Sequence, residues 1–277
     1  MEIELNSVEL KLDDWKFYFR KVDDRICHIS FDTSLITRLS EIKFKYSNLT
    51  IVQIPFQSSV NGLAIGEEAD RLDEMADLIE SSVAKPNASF WQRVFGGKQG
   101  TEIIHAGHAT FSGIRQLFLY SKRAIESDVF REVNQKFPQN PFKTMALSDP
   151  EWIEYRSKLL PSPLTLIQLI MDWMQLAMRE KAGDDLTAPR DVDHNFLFKD
   201  EASRRKLLKL VKAEEFKTNL FKVNQSEVAD GLIYGLTLTK RHRIDRMWSD
   251  IYTVQLCAYA EETGGKYDGW GAPEVRK

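Results

Sequence analysis

Three groups of side chains in this sequence have the types and spacing to do chemistry. His105 and His108 stand as H-x-x-H with Glu102 nearby, a ligand set that suits a divalent metal. That spacing serves one face of a helix. The segment alternates like a strand, however, where a separation of three sends the rings to opposite faces. Only a bulge near Gly107 would reunite them, so two ordinary sheet histidines and no metal are expected. Asp191 and Asp193 share a strand face with carboxylates roughly 7 Å apart, a spacing open to acid–base work. Asn195 continues the same face, which makes a solvated, polar-out strand the expectation. His194 falls on the opposite side with Val192, Phe196 and Phe198, as a hydrogen-bonded histidine at the core edge. The third group is basic. Arg204, Arg205, Lys206, Lys209 and Lys212 lie on one helix, and Lys240-Arg241-His242-Arg243 closes a strand. These could meet phosphate, but solvated helix faces commonly carry such charge.

No G-x-S-x-G, Walker loop, dinucleotide fingerprint, HExxH or paired C-x-x-C occurs. The expectation is a non-enzymatic protein with no catalytic residues, no metal and no cofactor. Two aromatic segments point to protein contact instead. Phe90, Trp91 and Phe95 lie in a long connection between Val83 and Thr101, where they either tuck into the core or anchor a partner. Tyr267-Asp268-Gly269-Trp270-Gly271 forms a sharp bend whose Tyr and Trp either pack beneath it or stand out as contacts.

These residues must be positioned by a chain of 277 residues, 43% hydrophobic and 29% charged, which suits about two folded domains. A net charge of −3 argues against coating nucleic acid, and two cysteines, Cys27 and Cys257, cannot make a disulfide scaffold. The start lacks the basic and apolar runs of a signal peptide, so a cytoplasmic protein is expected. The apolar stretch Leu164–Met178 spans roughly 22 Å as a helix, short of a hydrocarbon core of about 30 Å. Gln168, Asp172 and Gln175 form one narrow polar stripe on it, so the reading is a helix buried on nearly every side.

Around that helix the pattern repeats. A hairpin over Trp15–Phe31 precedes strand Leu49–Phe56, helix Glu67–Val83, strands Thr101–Phe111 and Ile114–Tyr120, helix Lys122–Lys136 and strand Phe142–Leu147. Asp149-Pro150-Glu151-Trp152 starts a short helix, and Pro161-Ser162-Pro163 breaks the chain. Strand Arg190–Phe198, helix Asp200–Glu214, strands Lys217–Val223 and Leu232–Lys240, helix Arg243–Glu262 and strand Lys266–Val275 follow. Both halves read β-α-β-β-α-β: an α+β protein of two tandem ferredoxin-like domains, 1–161 with an N-terminal hairpin and 164–277 behind the buried helix. RNA-recognition modules share this order and stack bases on sheet aromatics. The free face of the second half would instead carry Asp191, Asp193, Asn195, Gly235, Thr237 and Thr239, so direct nucleic-acid binding is not expected.

The run Gly264-Gly265-Lys266-Tyr267-Asp268-Gly269-Trp270-Gly271 resembles the closing signature of the regulator of ribonuclease activity B family. Gly183-Asp184-Asp185 with Pro189-Arg190-Asp191-Val192-Asp193-His194 and Phe196-Leu197-Phe198 does so as well. The resemblance implies a ferredoxin-like, non-catalytic bacterial regulator whose partner is a protein, a ribonuclease of the RNase E type. Tyr267, Asp268, Gly269 and Trp270, with Phe90 and Trp91 of the long connection, are the candidate partner-binding residues. Residues 1–161 are similar to the bacterial domain of unknown function 695 at Asp14-Trp15-Lys16-Phe17-Tyr18, Gly62-Leu63, Glu67-Glu68, Asp149-Pro150-Glu151-Trp152, Tyr155 and Pro161. That similarity implies no activity. Oligomeric state is left open.

Overall fold

The computed structural model describes residues 15–57, 62–84, 103–223 and 231–276. Phe90, Trp91, Phe95 and Glu102 lie outside them. Two compact units emerge, Met1–Phe17 with Val22–Leu160 and Tyr18–Lys21 with Pro161–Lys277.

In the N-terminal unit, strands β1 (Trp15–Val22) and β2 (Arg25–Asp32) join through Asp23 and Asp24, both at positive φ, the geometry of a tight hairpin turn. Helix α1 (Ser34–Ile42), β3 (Asn48–Pro55), α2 (Glu67–Ala84), β4 (Ile103–Phe111), β5 (Ile114–Ser121), α3 (Arg131–Lys136) and β6 (Lys143–Ser148) follow. The six strands run in the order β1-β2-β4-β5-β3-β6. One face buries Val52, Ile54, Leu117 and Leu119 against Leu72, Met75 and Ile79 of α2 and Val133 of α3. On the other face Trp152 stacks on Tyr120, ring centroids 3.7 Å apart, and its indole N–H donates to the Tyr46 carbonyl at 2.9 Å. Asp149 accepts from the Tyr120 hydroxyl and from the backbone N–H groups of Ile153 and Glu154. The Asp149–Trp152 motif is thereby a structural lock, capping the turn that ends in the π-helical stretch Tyr155–Leu159.

The C-terminal unit comprises α4 (Pro163–Lys181), β7 (Arg190–Phe198), α5 (Glu201–Leu210), β8 (Lys217–Lys222), β9 (Tyr234–His242), α6 (Arg246–Thr263) and β10 (Gly265–Gly271). Its sheet order is β10-β7-β9-β8, every neighbouring pair antiparallel. Phe196, Phe198, Leu236 and Leu238 meet Leu207 of α5 and Leu256 and Ala260 of α6. The helices start where capping chemistry allows: Ser162 accepts from the Thr165 N–H with Pro163 at the first helical position, and Asp200 accepts from Ser203. Helix α6 stops at Gly264, which has φ +76°.

The molecule is thus α+β, with two antiparallel sheets of six and four strands, and the β-α-β-β-α-β connectivity runs through β3–β6 and through β7–β10. Three expectations need correction. The helix expected over Lys122–Lys136 is helical only from a 3-10 turn at Ser127–Phe130 onward. The Asn48 side chain donates to the Lys122 carbonyl and the Ser121 hydroxyl to the Arg123 carbonyl, which diverts those backbone groups from a helix. Helix α1 had no counterpart among the expected elements. Lastly, α4 is not buried all round. Thr165, Leu169, Asp172 and Leu176 face inward, while Leu164, Met171, Met174 and Met178 are exposed. The polar residue Asp172 is inside because Thr253 of α6 and Gln168 donate to its carboxylate.

Candidate functional site

The closing motif folds as β10, paired with β7 across a register shift between Tyr267 and Trp270. Gly269, at φ +88°, makes the turn. The strand alternation then drives Tyr267 and Trp270 inward, 6% and 8% exposed. Of the proposed contact residues, these two therefore pack under the bend, and the motif's outward part is Asp268, ion-paired with Lys266. Beneath it runs a relay with a single consistent proton pattern. His242 Nδ1 lies 2.6 Å from the Arg243 carbonyl, an acceptor, so Nδ1 donates. His242 Nε2 then accepts from His194 Nε2 at 3.1 Å, and His194 Nδ1 accepts from the Tyr267 hydroxyl at 2.9 Å. Both rings are neutral in this arrangement. Burial is the main cause holding His194 well below the ordinary histidine range, and it lowers His242 to about 4. His194 is the satisfied core histidine its strand position suggested.

A second junction gathers the Gly183-Asp184-Asp185 segment. Asp184, with a fully buried side chain, accepts from Arg190 at 2.6 Å, from Arg179 at 2.9 Å and from the Val275 N–H at 2.9 Å. Burial alone would raise its pKa, but the two guanidiniums and the N–H outweigh it and hold the carboxyl below its usual range. Arg190 also donates to the Ala188 and Pro273 carbonyls, and Arg179 to that of Ala272. The end of α4, the start of β7 and the chain after β10 are tied at one carboxylate.

Beside this junction opens a cleft of about 510 Å³, lined by Trp173, Leu176 and Glu180 of α4, the 183–187 turn, and Asp245 and Arg246 at the start of α6. Arg246 stacks over the Trp173 ring at 4.0 Å. The Trp173 indole and the Arg246 Nε both donate to Asp250, at 2.8 and 2.9 Å. Asp250 is wholly buried, and desolvation pushes it up to about 6 despite Arg246. The cleft combines the guanidinium–indole stack with the apolar side chains of Leu176 and Leu186 and the carboxyl groups of Glu180, Asp185 and Asp245. Sequence reasoning missed Trp173, Arg246 and Asp250. The neighbouring Gly183-Asp184-Asp185 motif was the one signal pointing here.

The basic helix loses a member. Arg204 is buried and donates to the Phe221 and Gly235 carbonyls and to Glu201, so it is internal structure. Asp191 and Asp193 are solvent-facing as expected, Asp193 accepting from Thr239 and Asp191 lying 3.6 Å from Lys217.

In the N-terminal unit the histidines are a correction. A bulge between His105 and Gly107, with Gly107 at φ +152°, puts His105 and His108 on one face. Their ring centroids are 6.1 Å apart, and His28 lies 6.1 Å beyond His108, with Trp15 4.8 Å from His105. His105 Nδ1 meets Glu80 of α2 at 2.5 Å. Burial, then Arg115, His105 and His28, hold His108 well below the ordinary histidine range. The rings form a row and do not converge, and no group of three metal-ligating side chains is found among the described residues.

The chain is thus a two-unit α+β protein whose second unit carries a cleft beside the Asp184 junction. Residues 13–160 match the model of the Family of unknown function (DUF695), and residues 174–272 match Regulator of ribonuclease activity B. The first match spans more than half of the chain, and the protein belongs to that family. The second match takes in the relay, Asp184 with Arg179 and Arg190, and the lining of the cleft apart from Trp173. No curated protein matches the chain. Among solved structures, the crystal structure of an unknown protein from Galdieria sulphuraria is 9% identical at TM-score 0.20, covering 83% of this chain and 98% of that one. The crystal structure of a "putative glycine cleavage system transcriptional repressor" is 8% identical at TM-score 0.23, with the same coverage. Neither likeness is close enough to bear on fold or function. No described helix is long and apolar enough to cross a membrane.

Proposed function

We propose that this protein is a non-enzymatic regulator whose C-terminal unit binds a protein partner, a ribonuclease, and restrains it. We read both units as ferredoxin-like, the first serving as an appended domain. The observation that carries the reading is the match of residues 174–272 to Regulator of ribonuclease activity B. The geometry supports a binding role over a catalytic one. His194, His242, Asp172, Asp184 and Asp250 are each engaged by internal hydrogen bonds, which suits structure rather than turnover. The cleft beside Asp184 supplies the contact surface, with Glu180 and Trp173 as its reachable groups. The test is RNA cleavage by an RNase E-type ribonuclease of the native host with and without the full chain. Slower cleavage together with a stable complex supports the reading, and unchanged cleavage without a complex removes it.

A second reading has its own observation. The bulge that unites His105 and His108 beside Trp15 and His28 favours small-molecule binding by the N-terminal unit. Chemical-shift changes of those imidazoles on titrating aromatic and anionic metabolites would support it. Resonances that stay fixed throughout would dismiss it.

A further inference from the structure

Helix α5 presents an outer row of cations that its own unit leaves largely unanswered. Arg204, Leu207 and Val211 point into the core, which turns Arg205, Lys206, Lys209 and Lys212 outward. All four are exposed, Lys212 from the 3-10 turn Val211–Glu214 that continues the helix. Between Glu201 and Glu214 the sequence holds five cations and no carboxylate. The acids that bound the run are mostly occupied. Glu201 pairs with Arg204 and Arg205, Asp200 caps the helix, and Glu214 accepts from Gln255 and Tyr259. Exposed Glu215 closes the run on the far side. Lys206, Lys209 and Lys212 are in no ion pair among the described residues, and Asp200 acts on Lys206 only at longer range.

A solvated helix face ordinarily mixes signs, because like charges three and four residues apart repel. Here Arg205–Lys209, Lys206–Lys209 and Lys209–Lys212 are all of one sign. The C-terminal pole of the helix offsets that repulsion for Lys209 and Lys212, but not for Arg205 and Lys206 further back. Charge complementarity therefore asks for a row of negative charges. Protein interfaces are depleted of lysine and centre on an aromatic or arginine anchor. This face has three lysines, and its one sizeable apolar side chain is Leu210, 38% exposed. Lysine meets phosphate as a point charge and needs no shaped pocket. From Arg205 to Lys212 the helix rises roughly 10.5 Å, about three phosphate steps of one nucleic-acid strand. Lys222 of β8 borders the row, since it and Arg204 both lie over the Tyr234 ring, at 5.3 and 5.5 Å.

We propose that the outer face of α5 holds the phosphate backbone of a single nucleic-acid strand, reading neither base nor sugar. The contact runs along this helix and not over the sheet face, where Asp191 and Asp193 would meet phosphate. It does not depend on the ribonuclease reading. With a whole-chain charge of −3, the grip is local and weak.

The experiment is fluorescence anisotropy of labelled oligouridine, with oligothymidine in a parallel arm, titrated with the full chain from about 50 to about 200 mM potassium chloride. Binding to both strands is expected, weakening about 20- to 50-fold over that range, as three or four neutralised phosphates require. K206Q/K209Q/K212Q should remove most of the affinity and of the salt dependence while keeping the circular-dichroism melt. K209Q alone should lower the salt slope by about 0.7, and it decides the matter if the triple variant fails to fold. K45Q/K122Q/K143Q makes the same charge change on exposed lysines of the N-terminal unit and should bind nearly as wild type does. No binding at about 50 mM salt, binding to only one of the two strands, or equal loss in both triple variants would each overturn the proposal. Polyglutamate held as tightly as oligouridine would overturn it too, assigning the row to an acidic protein.

Discussion

His194 and His242 meet ring nitrogen to ring nitrogen at 3.1 Å, and that contact holds only while one nitrogen donates and the other accepts. Tyr267 at one end and the Arg243 carbonyl at the other complete a chain in which every member is satisfied once. A proton added to either ring reverses the Tyr267 end of the chain and leaves a charge in a dry interior.

The pH consequence has a definite sign. Both histidines bind protons more weakly in the folded state than in the unfolded chain, where their pKa is about 6.5. The stability this contributes is complete above that value and is lost as pH falls toward about 4. Asp172 and Asp250, raised to about 6, act in the opposite direction over part of the range. The comparison is therefore with His242→Gln. On acidification from neutral pH to about 5, wild type should lose up to about 2 kcal/mol relative to the variant in urea unfolding. Parallel curves for the two proteins would contradict the relay.

Asp184 is costly to remove, because it pairs with a buried guanidinium. Asp184→Ala leaves Arg190 buried without its carboxylate, a loss of about 3–5 kcal/mol. In a double-mutant cycle, adding Arg190→Met should recover part of that loss, because the stranded charge goes with it. Strictly additive denaturant midpoints would mean that the two residues do not act as one unit.

Gly107 cannot carry a side chain. Its φ is +152°, and a Cβ there would stand 2.4 Å from the Ser30 carbonyl oxygen and 2.8 Å from Leu159. Gly107→Ala should cost at least about 2 kcal/mol and speed amide exchange in β2 and β4 together. It should also separate the His105 and His108 ring resonances from their wild-type positions. An alanine variant with wild-type melting would refute the bulge.

Trp152 closes the N-terminal lock from an unusual backbone conformation, φ +53°, fully buried against Tyr120. Trp152→Ala should destabilise by about 3–5 kcal/mol, and Trp152→Phe by less, having lost mainly the hydrogen bond to Tyr46. Calorimetry on the two variants ranks them directly.

Local pattern carried part of this structure into view before any coordinates. Arg190–Phe198 alternates residue by residue, and β7 has those bounds, with Asp191 and Asp193 out and His194 in. Period-2 burial is written in the strand itself. Helix α1 spaces Leu35, Leu39 and Ile42 at i, i+4 and i+7, a helical period legible in the sequence although it spans only nine residues between two strands. Helix α4, expected to be buried on nearly every side, leaves one apolar face exposed and turns Asp172 inward, where Thr253, 81 residues away, donates to it. No count of hydrophobicity along 164–178 contains that partner. The bulge at Gly107 likewise answers to Ser30 and Leu159, and the cleft to the meeting of Trp173 with Arg246 and Asp250. Non-local partners decided each feature that local pattern missed.

The central claim is that the second unit binds and restrains a ribonuclease through its cleft. The most direct test measures cleavage of a defined RNA by the native host's RNase E-type enzyme, with excess wild-type chain or with Glu180→Lys. Glu180 lines the cleft and lies outside both buried networks, so the variant should keep wild-type stability. Wild-type chain should slow cleavage, and Glu180→Lys should slow it less. Cleavage that proceeds equally fast in the presence and absence of wild-type chain, with no complex formed, would contradict it.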